Sequence, residues 1–314
     1  MFQKKRIVFL ALIFFIPHAL SWGFVAAIAQ NFLFPNVLEK VIELLPVQAH
    51  ENLAYIAAWA DQIKHKEQYR FTSPMHYTNP SPLYDNPPSH CAFDWDKKKV
   101  DLISAIHNYS NRLDPNSDLN YWSRAEALRF LVHFIGDLHQ PLHRKLYISK
   151  RIREFNQNST IDYNLPEDYS QFNSSEPLFD GQFYDLYLKY IINLMNTTWR
   201  GELSQWTICN EDFKLSTELP LSGPNQLHFS SASDSSDYFH LSMNQEFSFS
   251  AACPEYWAIP LNKLNCQVVL NGYDRELDLS IGEYYEKIVK YNIMEKLLAI
   301  SGYRIAAVLN TILK

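Results

Sequence analysis

The residues best suited to chemistry lie in one short stretch of the chain, His133–His143. His133 and Asp137 are four residues apart, so on a helix they share one face and both side chains can reach a single cation. Pro141 lacks a backbone N–H and should end or kink the helix, which lets His143 turn back toward the same cavity. Three histidines and an aspartate at this spacing are costly to bury unless a metal ion pairs with them. The stretch therefore predicts a metal site.

The middle histidine of the stretch, His139, is expected to have a different role. It follows Asp137 by two residues, which places it about 200° around the helix from that residue. Its side chain should therefore point elsewhere. We expect its replacement by Asn to have little effect on metal content or on hydrolysis.

A second pair of candidate ligands lies upstream. Asp61 closes the sequence Ala58-Trp-Ala-Asp61 near the end of a predicted helix, and His76 lies on the extended segment that follows. Their oxygen and nitrogen atoms are ligands that zinc accepts. Each residue alone is better explained as a hydrogen-bonded group of the core. Together with His133 and Asp137, however, they favour a four-ligand metal site.

The elements around these motifs are predicted to be helices. Glycine is scarce, with 8 residues beside 19 Tyr, 20 Phe and 7 Trp, and this balance disfavours many tight turns and favours packed helices. Strand-like alternation is brief and is best at Cys266–Leu270. Apolar residues recur at helical spacing over Leu53–Lys64, Leu102–Leu113, Ser123–Leu138, Phe183–Met195 and Ile281–Leu313.

The N-terminal residues predict a secretory route. Basic residues at positions 4–6 precede an apolar run that is too short to span a bilayer, and Ala19-Leu-Ser21 offers a signal-peptidase site. We predict a signal peptide over residues 1–21 and a mature domain over residues 22–314 that begins at Trp22. The protein is then expected to be secreted or to reside in the lumen of the secretory or vacuolar-lysosomal pathway. An N-terminal anchor or buried helix is the alternative.

Cysteines and glycosylation sequons agree with that route. The four cysteines predict two disulfides with three possible pairings, and no short CxxC spacing of a thiolate metal site occurs. A glycoprotein is predicted by sequons that begin at Asn108, Asn158, Asn173 and Asn196.

Net charge limits how the protein can bind phosphate. The charge is −6, and it becomes −9, with 25 basic against 34 acidic residues, once the three basic residues of the leader are removed. A chain with this charge is not a general polyanion binder. Any phosphate chemistry must therefore bring its own positive charge, as a metal site does.

Several of these motifs resemble those of the secreted class I zinc nucleases. That family includes fungal single-strand nucleases, plant bifunctional nucleases and trypanosomatid 3′-nucleotidase/nucleases, and it shares a fold with bacterial zinc phospholipase C. The resemblance covers nearly the whole mature chain and implies a mainly all-α, single-domain fold with zinc ions in a cleft. The matching motifs are Trp22-Gly, Ala-Trp-Ala-Asp61, Met-His76-Tyr, Asn86-Pro-Pro-Ser-His-Cys91, His133-Phe-Ile-Gly-Asp137-Leu-His-Gln-Pro-Leu-His143, Tyr256-Trp-Ala, Cys266 and Gly302-Tyr-Arg304-Ile-Ala-Ala-Val-Leu-Asn310.

The resemblance implies which residues hold up to three zinc ions. The first ion would have four ligands, which are Asp61, His76, His133 and Asp137. A second ion would bind the free amine and carbonyl oxygen of Trp22, and Asp137 would also reach toward it. The remaining ion would bind His143.

The same resemblance implies the activity and the substrate contacts. The expected reaction is hydrolysis of single-stranded DNA or RNA and of 3′-nucleotides, which leaves 5′-phosphates. Catalytic roles fall to Asp61 and Asp137 through the metal, and to Lys64 as a cationic contact to phosphate. Tyr77 and Asn79 would bind the substrate by base stacking and hydrogen bonding, although ordinary packing explains Tyr77 equally well. No stable protein partner and no membrane span are implied.

The resemblance also implies a disulfide pattern. Cys91 would pair with Cys266, and the pair that then remains is Cys209 with Cys253. Closing so long a loop should stabilise the fold by a few kcal/mol in the chain-entropy description.

Three metal ligands expected from the resemblance do not occur in this sequence. A Gly-His should follow the terminal Trp-Gly, but Gly23 runs directly into Phe24-Val-Ala-Ala. Downstream of His143, residues 144–186 contain no histidine, and Tyr184-Asp185 stands in place of an expected Trp-Asp. The affected sites should bind metal more weakly, since the loss of even an outer partner typically costs ~10–100-fold in affinity.

Two alternatives to an active phosphoesterase follow from these losses. One is a zinc-binding secreted homologue with impaired catalysis and a structural or interaction role, since a structural zinc prefers a closed four-ligand site. The other is an imperfect gene model or splice form that has lost the segments with the missing ligands. The direct succession of Gly23 and Phe24, where the expected Gly-His is missing, favours this alternative. Active hydrolysis is the first prediction because the other ligands persist together and buried charges without a metal are costly.

Overall fold

The regular structure of this chain is helical. The computed structural model describes residues 19–78, 95, 98–140, 143, 181–209, 251–265, 268, 281–290 and 292–314. The helices in these residues are α1 (Ala19–Asn31), α2 (Pro35–Leu44), α3 (Trp59–Ile63), α4 (Leu102–Leu113), α5 (Tyr121–His139), α6 (Gly181–Asn196), α7 (Leu203–Trp206), α8 (Pro254–Leu264), α9 (Gly282–Lys290) and α10 (Ile293–Ile312). Shorter 3₁₀ segments cover Val47–Ala49, Leu53–Ile56, Glu67–His76 and Arg200–Glu202. The predicted mainly all-α fold is confirmed.

Helices α4 and α5 pack against each other, and both begin at a capping residue. The Asp101 side chain accepts a hydrogen bond from the Ser104 N–H at 3.0 Å, while Ser104 Oγ accepts from the Asp101 N–H at 2.9 Å. The Asn120 side chain caps α5 by accepting from the Ser123 N–H at 3.0 Å. Such caps satisfy donors that the first turn leaves open and typically contribute about 1 kcal/mol each. The sequence thus specifies locally where both helices start.

Helix α5 ends at His139, two residues before Pro141. The intervening Gln140 has extended backbone angles, φ −83° and ψ 113°, which are those favoured in a residue that precedes proline. The prediction that the helix ends at this proline is therefore confirmed.

Helix α10 lies in the core. Nearly all of its residues from Ile293 to Asn310 are buried, and it packs against α1, α5, α7 and α9 among others. At its crossing with α1, a Cβ on Gly302 would lie 2.5 Å from Ile28 Cγ2 and 2.8 Å from the Val25 carbonyl oxygen. The two helices can therefore approach this closely only because residue 302 has no side chain.

Two predicted helices are divided in the structure, whereas the other three correspond to α4, α5 and α6. Leu53–Lys64 comprises a 3₁₀ segment followed by α3, and Ile281–Leu313 comprises α9 and α10. The second break lies at Asn292, whose φ of 45° is left-handed and cannot continue a right-handed helix. Apolar periodicity does not record the backbone conformation of a single residue, so the pattern alone did not locate these breaks. The predicted strand-like stretch Cys266–Leu270 lies, apart from Val268, outside the described residues.

A disulfide fastens the segment after α7 to the start of α8. It joins Cys209 to Cys253, with their Cα atoms 5.6 Å apart, and confirms this predicted pair. Cys91 and Cys266 lie outside the described residues.

The surface of the described helices bears on two other predictions. Asn108 and Asn196, which begin two of the predicted sequons, are both exposed, while Asn158 and Asn173 lie outside the described residues. Among the described helices, none combines the length and the apolar composition that a membrane span requires.

Replacing Gly302 with Ala should lower the free energy of unfolding by about 1–3 kcal/mol, the usual cost of forcing an extra methyl group into a packed core. The new Cβ would collide with Ile28 and with the Val25 carbonyl, so α1 and α10 would have to move apart. Gly201→Ala is the matched control, since nothing lies within 4 Å of its Cβ position. Urea unfolding of both variants measures the difference. Equal midpoints would contradict the close crossing of the two helices.

Candidate metal centre

Three separate segments bring the predicted ligands together. His133 and Asp137 lie one turn apart on α5, Asp61 lies on α3, and His76 is the last residue of the 3₁₀ segment Glu67–His76. Both α3 and that 3₁₀ segment pack against α5. The site therefore depends on tertiary packing, since its ligands come from parts of the chain that are distant in sequence.

Asp61, His76 and His133 form a compact group, with one ligand atom of each lying within 4.8 Å of the others. His76 Nδ1 is 3.5 Å from Asp61 Oδ1, His133 Nε2 is 3.6 Å from the same oxygen, and the two nitrogens are 3.2 Å apart. A tetrahedral cation with bonds of about 2.0–2.1 Å separates its ligand atoms by about 3.3–3.4 Å. The three distances therefore fit one small cation bound by all three residues.

Asp137 adds a second carboxylate to this group. Its side chain is fully buried, and Oδ2 lies 2.8 Å from His76 Nδ1 and 3.2 Å from His133 Nε2. Two neighbouring carboxylates are unfavourable in a buried place unless positive charge compensates them. The structure thus brings the four predicted residues together, and their two acids and two imidazoles are a donor set suited to a divalent cation.

His133 is oriented by a hydrogen bond on the far side of its ring. Nδ1–H donates to the Ala57 carbonyl oxygen at 2.7 Å, which leaves Nε2 directed at Asp61 and Asp137. Metal-binding histidines commonly use their second nitrogen in this way, because the bond fixes both tautomer and ring orientation. The ring is therefore held ready to offer Nε2 to a cation.

The charges of the metal-free site stabilise one another. Burial would lower the pKa of His133, but the carboxylates of Asp137 and Asp61 outweigh it and raise this pKa to about 10. Burial would raise the pKa of Asp137, but His133 and His143 hold it well below its usual range. For His76 burial dominates and lowers the pKa, so this ring is neutral at pH 7. Metal binding therefore requires the loss of a proton from His133.

His143 reaches the other oxygen of Asp137. Its Nδ1 lies 3.1 Å from Asp137 Oδ1 and donates to the His76 carbonyl oxygen at 3.0 Å. The Thr78 N–H donates to the His143 carbonyl oxygen at 3.2 Å, which ties this residue to the segment after His76. The prediction that His143 returns to the site after α5 is confirmed by these contacts, and its role as a metal ligand stays a prediction.

Two of the three residues predicted to contact substrate, Lys64 and Tyr77, lie beside the predicted ligands. Lys64 Nζ donates to Asp61 Oδ1 at 2.7 Å, and the two side chains, 19% and 20% exposed, mark an open side of the site. Burial would lower the pKa of Lys64, but Asp61 raises it, so the lysine is charged. The ring of Tyr77 stacks on His143 with centroids 5.2 Å apart. Asn79 lies outside the described residues.

Trp22 lies in α1 and contacts the site through its indole ring. The ring stacks on that of His133, with centroids 5.3 Å apart and planes at 17°, and Nε1–H donates to Asp137 Oδ1 at 3.1 Å. Gly136 leaves room for it, since a Cβ there would lie 3.0 Å from indole Cδ1. The sequence had predicted a role for the amine and carbonyl of Trp22 and none for its side chain. Residues 1–18 lie outside the described residues, so the leader stays a prediction.

His139 points away from the ligands, as predicted. Its Nδ1–H donates to the Ile135 carbonyl oxygen at 2.7 Å, and its Nε2 accepts from Arg304 Nη1 at 2.8 Å. Arg304 is buried, and its Nε–H donates to the Trp206 carbonyl oxygen at 2.7 Å. His139 therefore links α5 to α10, so changing it should affect stability while leaving every candidate metal ligand in place.

Three contributions to the site were not evident from the sequence: the Ala57 carbonyl, the space at Gly136 and the indole of Trp22. A backbone carbonyl has no residue-type signal, so nothing could have singled out Ala57. The glycine before Asp137 was a signal, since glycine is costly inside a helix and is expected where another group must come close. Asp185, which stands in place of an expected ligand, is exposed on α6.

Comparisons with known proteins match this chain to nucleases. The family model "S1/P1 Nuclease" matches residues 23–158, a range that contains the histidines and aspartates of the site. Nuclease S1 of Aspergillus oryzae is 30% identical over 296 residues, which cover 92% of this chain and 88% of that protein. Endonuclease 3 of Arabidopsis thaliana is 26% identical over 317 residues, which cover 94% and 90% of the two chains. Nuclease P1 of Penicillium citrinum is 37% identical over 132 residues, which cover 41% and 47%.

The metal-free protein should lose stability as the pH rises, because His133 is charged in the folded state. Its pKa of about 10 lies above the ordinary value of 6.5, so its contribution is fully present below pH 6.5 and is lost as the pH rises through 10. In chelator-treated protein, the difference in free energy of unfolding between wild type and His133→Gln should therefore shrink across this window. Urea unfolding at a series of pH values measures it. A difference that is constant with pH would contradict a charged His133.

Proposed function

Because the chain belongs to the S1/P1 nuclease family and is a nuclease-type hydrolase, we propose that it is a secreted, zinc-dependent phosphoesterase. Its substrates would be single-stranded DNA or RNA and 3′-nucleotides, and its products would carry 5′-phosphates. The observation that carries the proposal is the convergence of Asp61, His76, His133 and Asp137 at one place. The active enzyme is favoured over an impaired homologue because the family's activity and this donor set agree.

Zinc is the cation that this donor set favours. Two imidazoles and two carboxylates offer nitrogen and oxygen donors, which suit zinc, whereas magnesium and calcium prefer oxygen alone. The ligand atoms of Asp61, His76 and His133 lie 3.2–3.6 Å apart. These separations agree with the short bonds that zinc forms to its ligands. Calcium, with bonds of about 2.3–2.6 Å and six to eight ligands, would need a wider and more oxygen-rich site.

The chemistry divides between the ion and the side chains. A bound zinc ion would supply hydroxide near neutral pH and neutralise the phosphoryl oxygens and the leaving 3′-oxygen. Asp61, His76, His133 and Asp137 would hold it, with the Ala57 carbonyl keeping the His133 ring in position. These side chains would thus fix where the hydroxide and the phosphate meet.

Lys64 is proposed to bind the phosphate. Its ammonium group uses one donor on Asp61 Oδ1, and an ammonium has three, so further donors can reach a phosphate oxygen on the open side. Contact with Asp61 also keeps the lysine beside the metal ligands. One side chain would therefore contact a proposed metal ligand and neutralise the charge of the substrate.

Tyr77 is proposed to stack on a base, and Asn79 to hydrogen-bond it. The Tyr77 carbonyl oxygen accepts from the Leu102 N–H at 3.1 Å, and its ring lies against His143, so the position of the ring is fixed. A fixed aromatic ring beside the metal ligands suits base stacking, which tolerates different bases. This supports a nucleic acid or nucleotide as the substrate.

Two further zinc ions are proposed at Trp22 and at His143, with fewer protein ligands than the first. After removal of the predicted leader, the amine and carbonyl oxygen of Trp22 would serve one ion, and Asp137 Oδ1 lies beside this residue. His143 would serve the other. Of the three sites, the four-residue site has the most complete set of protein ligands.

Positive charge at the site would allow an acidic chain to bind a polyanion. The net charge of −6 repels nucleic acid at long range, so attraction must be local. Zinc and Lys64 would supply it at the place where the phosphate reacts.

Secretion is supported by the predicted leader and by the Cys209–Cys253 disulfide, since structural disulfides persist mainly in oxidising compartments.

Changing Asp137 to Asn should lower both the metal content and the hydrolysis of single-stranded DNA by orders of magnitude. The substitution keeps the size of the side chain but removes a negative charge that offsets the cation. Elemental analysis of purified protein and a single-stranded DNA assay measure the two quantities. His139→Asn is the matched control on the same helix, assayed below its unfolding temperature, and should retain its metal.

The outcomes separate the alternatives. If zinc-loaded wild type shows no phosphoesterase activity while Asp137→Asn loses its metal, the zinc is structural and the proposed activity is wrong. If Asp137→Asn binds zinc as well as wild type, the metal site itself is misassigned.

Changing Lys64 to Gln should lower kcat/KM for single-stranded DNA by about 10–100-fold, the value of a hydrogen bond to a charged group. Metal content should change little, because the four proposed ligands remain. Lys66→Gln is the control, since this nearby lysine is exposed. Steady-state kinetics of both variants decide the matter, and equal kcat/KM values would argue against a phosphate contact at Lys64.

A further inference from the structure

We propose that the indole of Trp22 is a positioning residue for the metal site: its N–H holds one oxygen of Asp137 so that the other oxygen faces the ligand cluster. The inference rests on the proposed metal function but concerns a side chain rather than the amine and carbonyl of Trp22. It assigns the indole a task in metal affinity that is separate from packing.

The two oxygens of Asp137 have different partners. Oδ1 accepts from Trp22 Nε1–H at 3.1 Å and lies 3.1 Å from His143 Nδ1. Oδ2 lies 2.8 Å from His76 Nδ1 and 3.2 Å from His133 Nε2. The indole bond on Oδ1 therefore helps to fix the orientation of the carboxylate plane, in which the other oxygen faces the ligand cluster.

A carboxylate needs such a partner because its terminal torsion is soft. Rotation about χ2 of aspartate is broad and roughly two-fold, so packing alone does not select an orientation. A hydrogen bond to an ionised oxygen is about twice as strong as a neutral one and has a defined direction. Since Trp22 and Asp137 are 3% and 0% exposed, water does not compete for this bond. The indole thus holds the carboxylate in place before any cation arrives.

The position of the indole is itself fixed on two sides. One side is the ring of His133, on which it stacks with planes at 17° and centroids 5.3 Å apart. The other is the space at Gly136, where a Cβ would lie 3.0 Å from indole Cδ1 and 3.1 Å from Nε1. Any side chain at position 136 would push the donor away from Asp137. Helix α5 therefore carries the acceptor and, one residue earlier, the space that admits the donor.

The side-chain role can be separated from the main-chain role. Trp22→Phe keeps an amine, a carbonyl oxygen and an aromatic ring at position 22 but removes the N–H. Trp206→Phe is the matched control, since Trp206 is 1% exposed and its Nε1 has no hydrogen-bond partner among the described residues. N-terminal sequencing verifies that all variants start at the same residue.

The experiment titrates metal-free protein with cobalt(II) and with zinc, following the visible cobalt spectrum and the heat of binding. We expect Trp22→Phe to bind each ion about 10–100-fold more weakly, which is the usual effect of removing a group that orients a metal ligand. Its cobalt spectrum should shift because the carboxylate is no longer held in one orientation. Trp206→Phe should match wild type in both readouts.

A second variant, Gly136→Ala, tests the same role in case Trp22→Phe does not fold. Gly136→Ala retains the indole but displaces it, so it should weaken metal binding in the same direction. If Trp22→Phe and Gly136→Ala both bind as wild type does, while Asp137→Asn does not bind, the role of the indole is overturned and the metal site stands. If Asp137→Asn binds as wild type does, the metal site is wrong and the role of Trp22 falls with it.

Discussion

The buried carboxylate of Asp137 is the group on which the rest of the site depends. A full negative charge in the core is tolerated only if its oxygens meet donors or a cation, because the loss of hydration costs several kcal/mol or more. Here Oδ2 meets His76 and His133, and Oδ1 meets Trp22 and His143. These partners come from separate segments, so the charge can be buried only when those segments are packed together correctly. Folding and assembly of the site are therefore one process.

Helix α5 serves the site on one face and the core on another. His133 and Asp137 face the ligand cluster, whereas His139 accepts from Arg304 of α10. Arg304 also donates to the carbonyl of Trp206 at the end of α7. The hydrogen bond of His139 to Arg304 thus anchors α5 to α10, and this limits how far the predicted ligands on α5 can move. A metal site needs this rigidity, since ligand distances must be maintained within a few tenths of an ångström.

Electrostatics in this protein are local rather than global. The chain is acidic overall, yet the substrate that we propose for the site is a polyanion. Attraction must then come from an ion in the cluster and from Lys64, whose contact with Asp61 places it at the open side. Such an arrangement would bind a phosphate where it is to react, whereas the net negative charge of the chain does not attract nucleic acid.

The sequence by itself determined those structural features that depend only on residues close together in the chain. The spacing of His133 and Asp137 on one helix face, and the end of that helix before Pro141, follow from local backbone geometry and were predicted. Residue types and motifs predicted Asp61 as a ligand, but not its distance from α5. Only the tertiary structure decided that distance, the break between α9 and α10, and the contact of the Trp22 indole with Asp137. These depend on how separate segments pack or on the conformation of a single residue, and neither leaves a periodic signal in the chain.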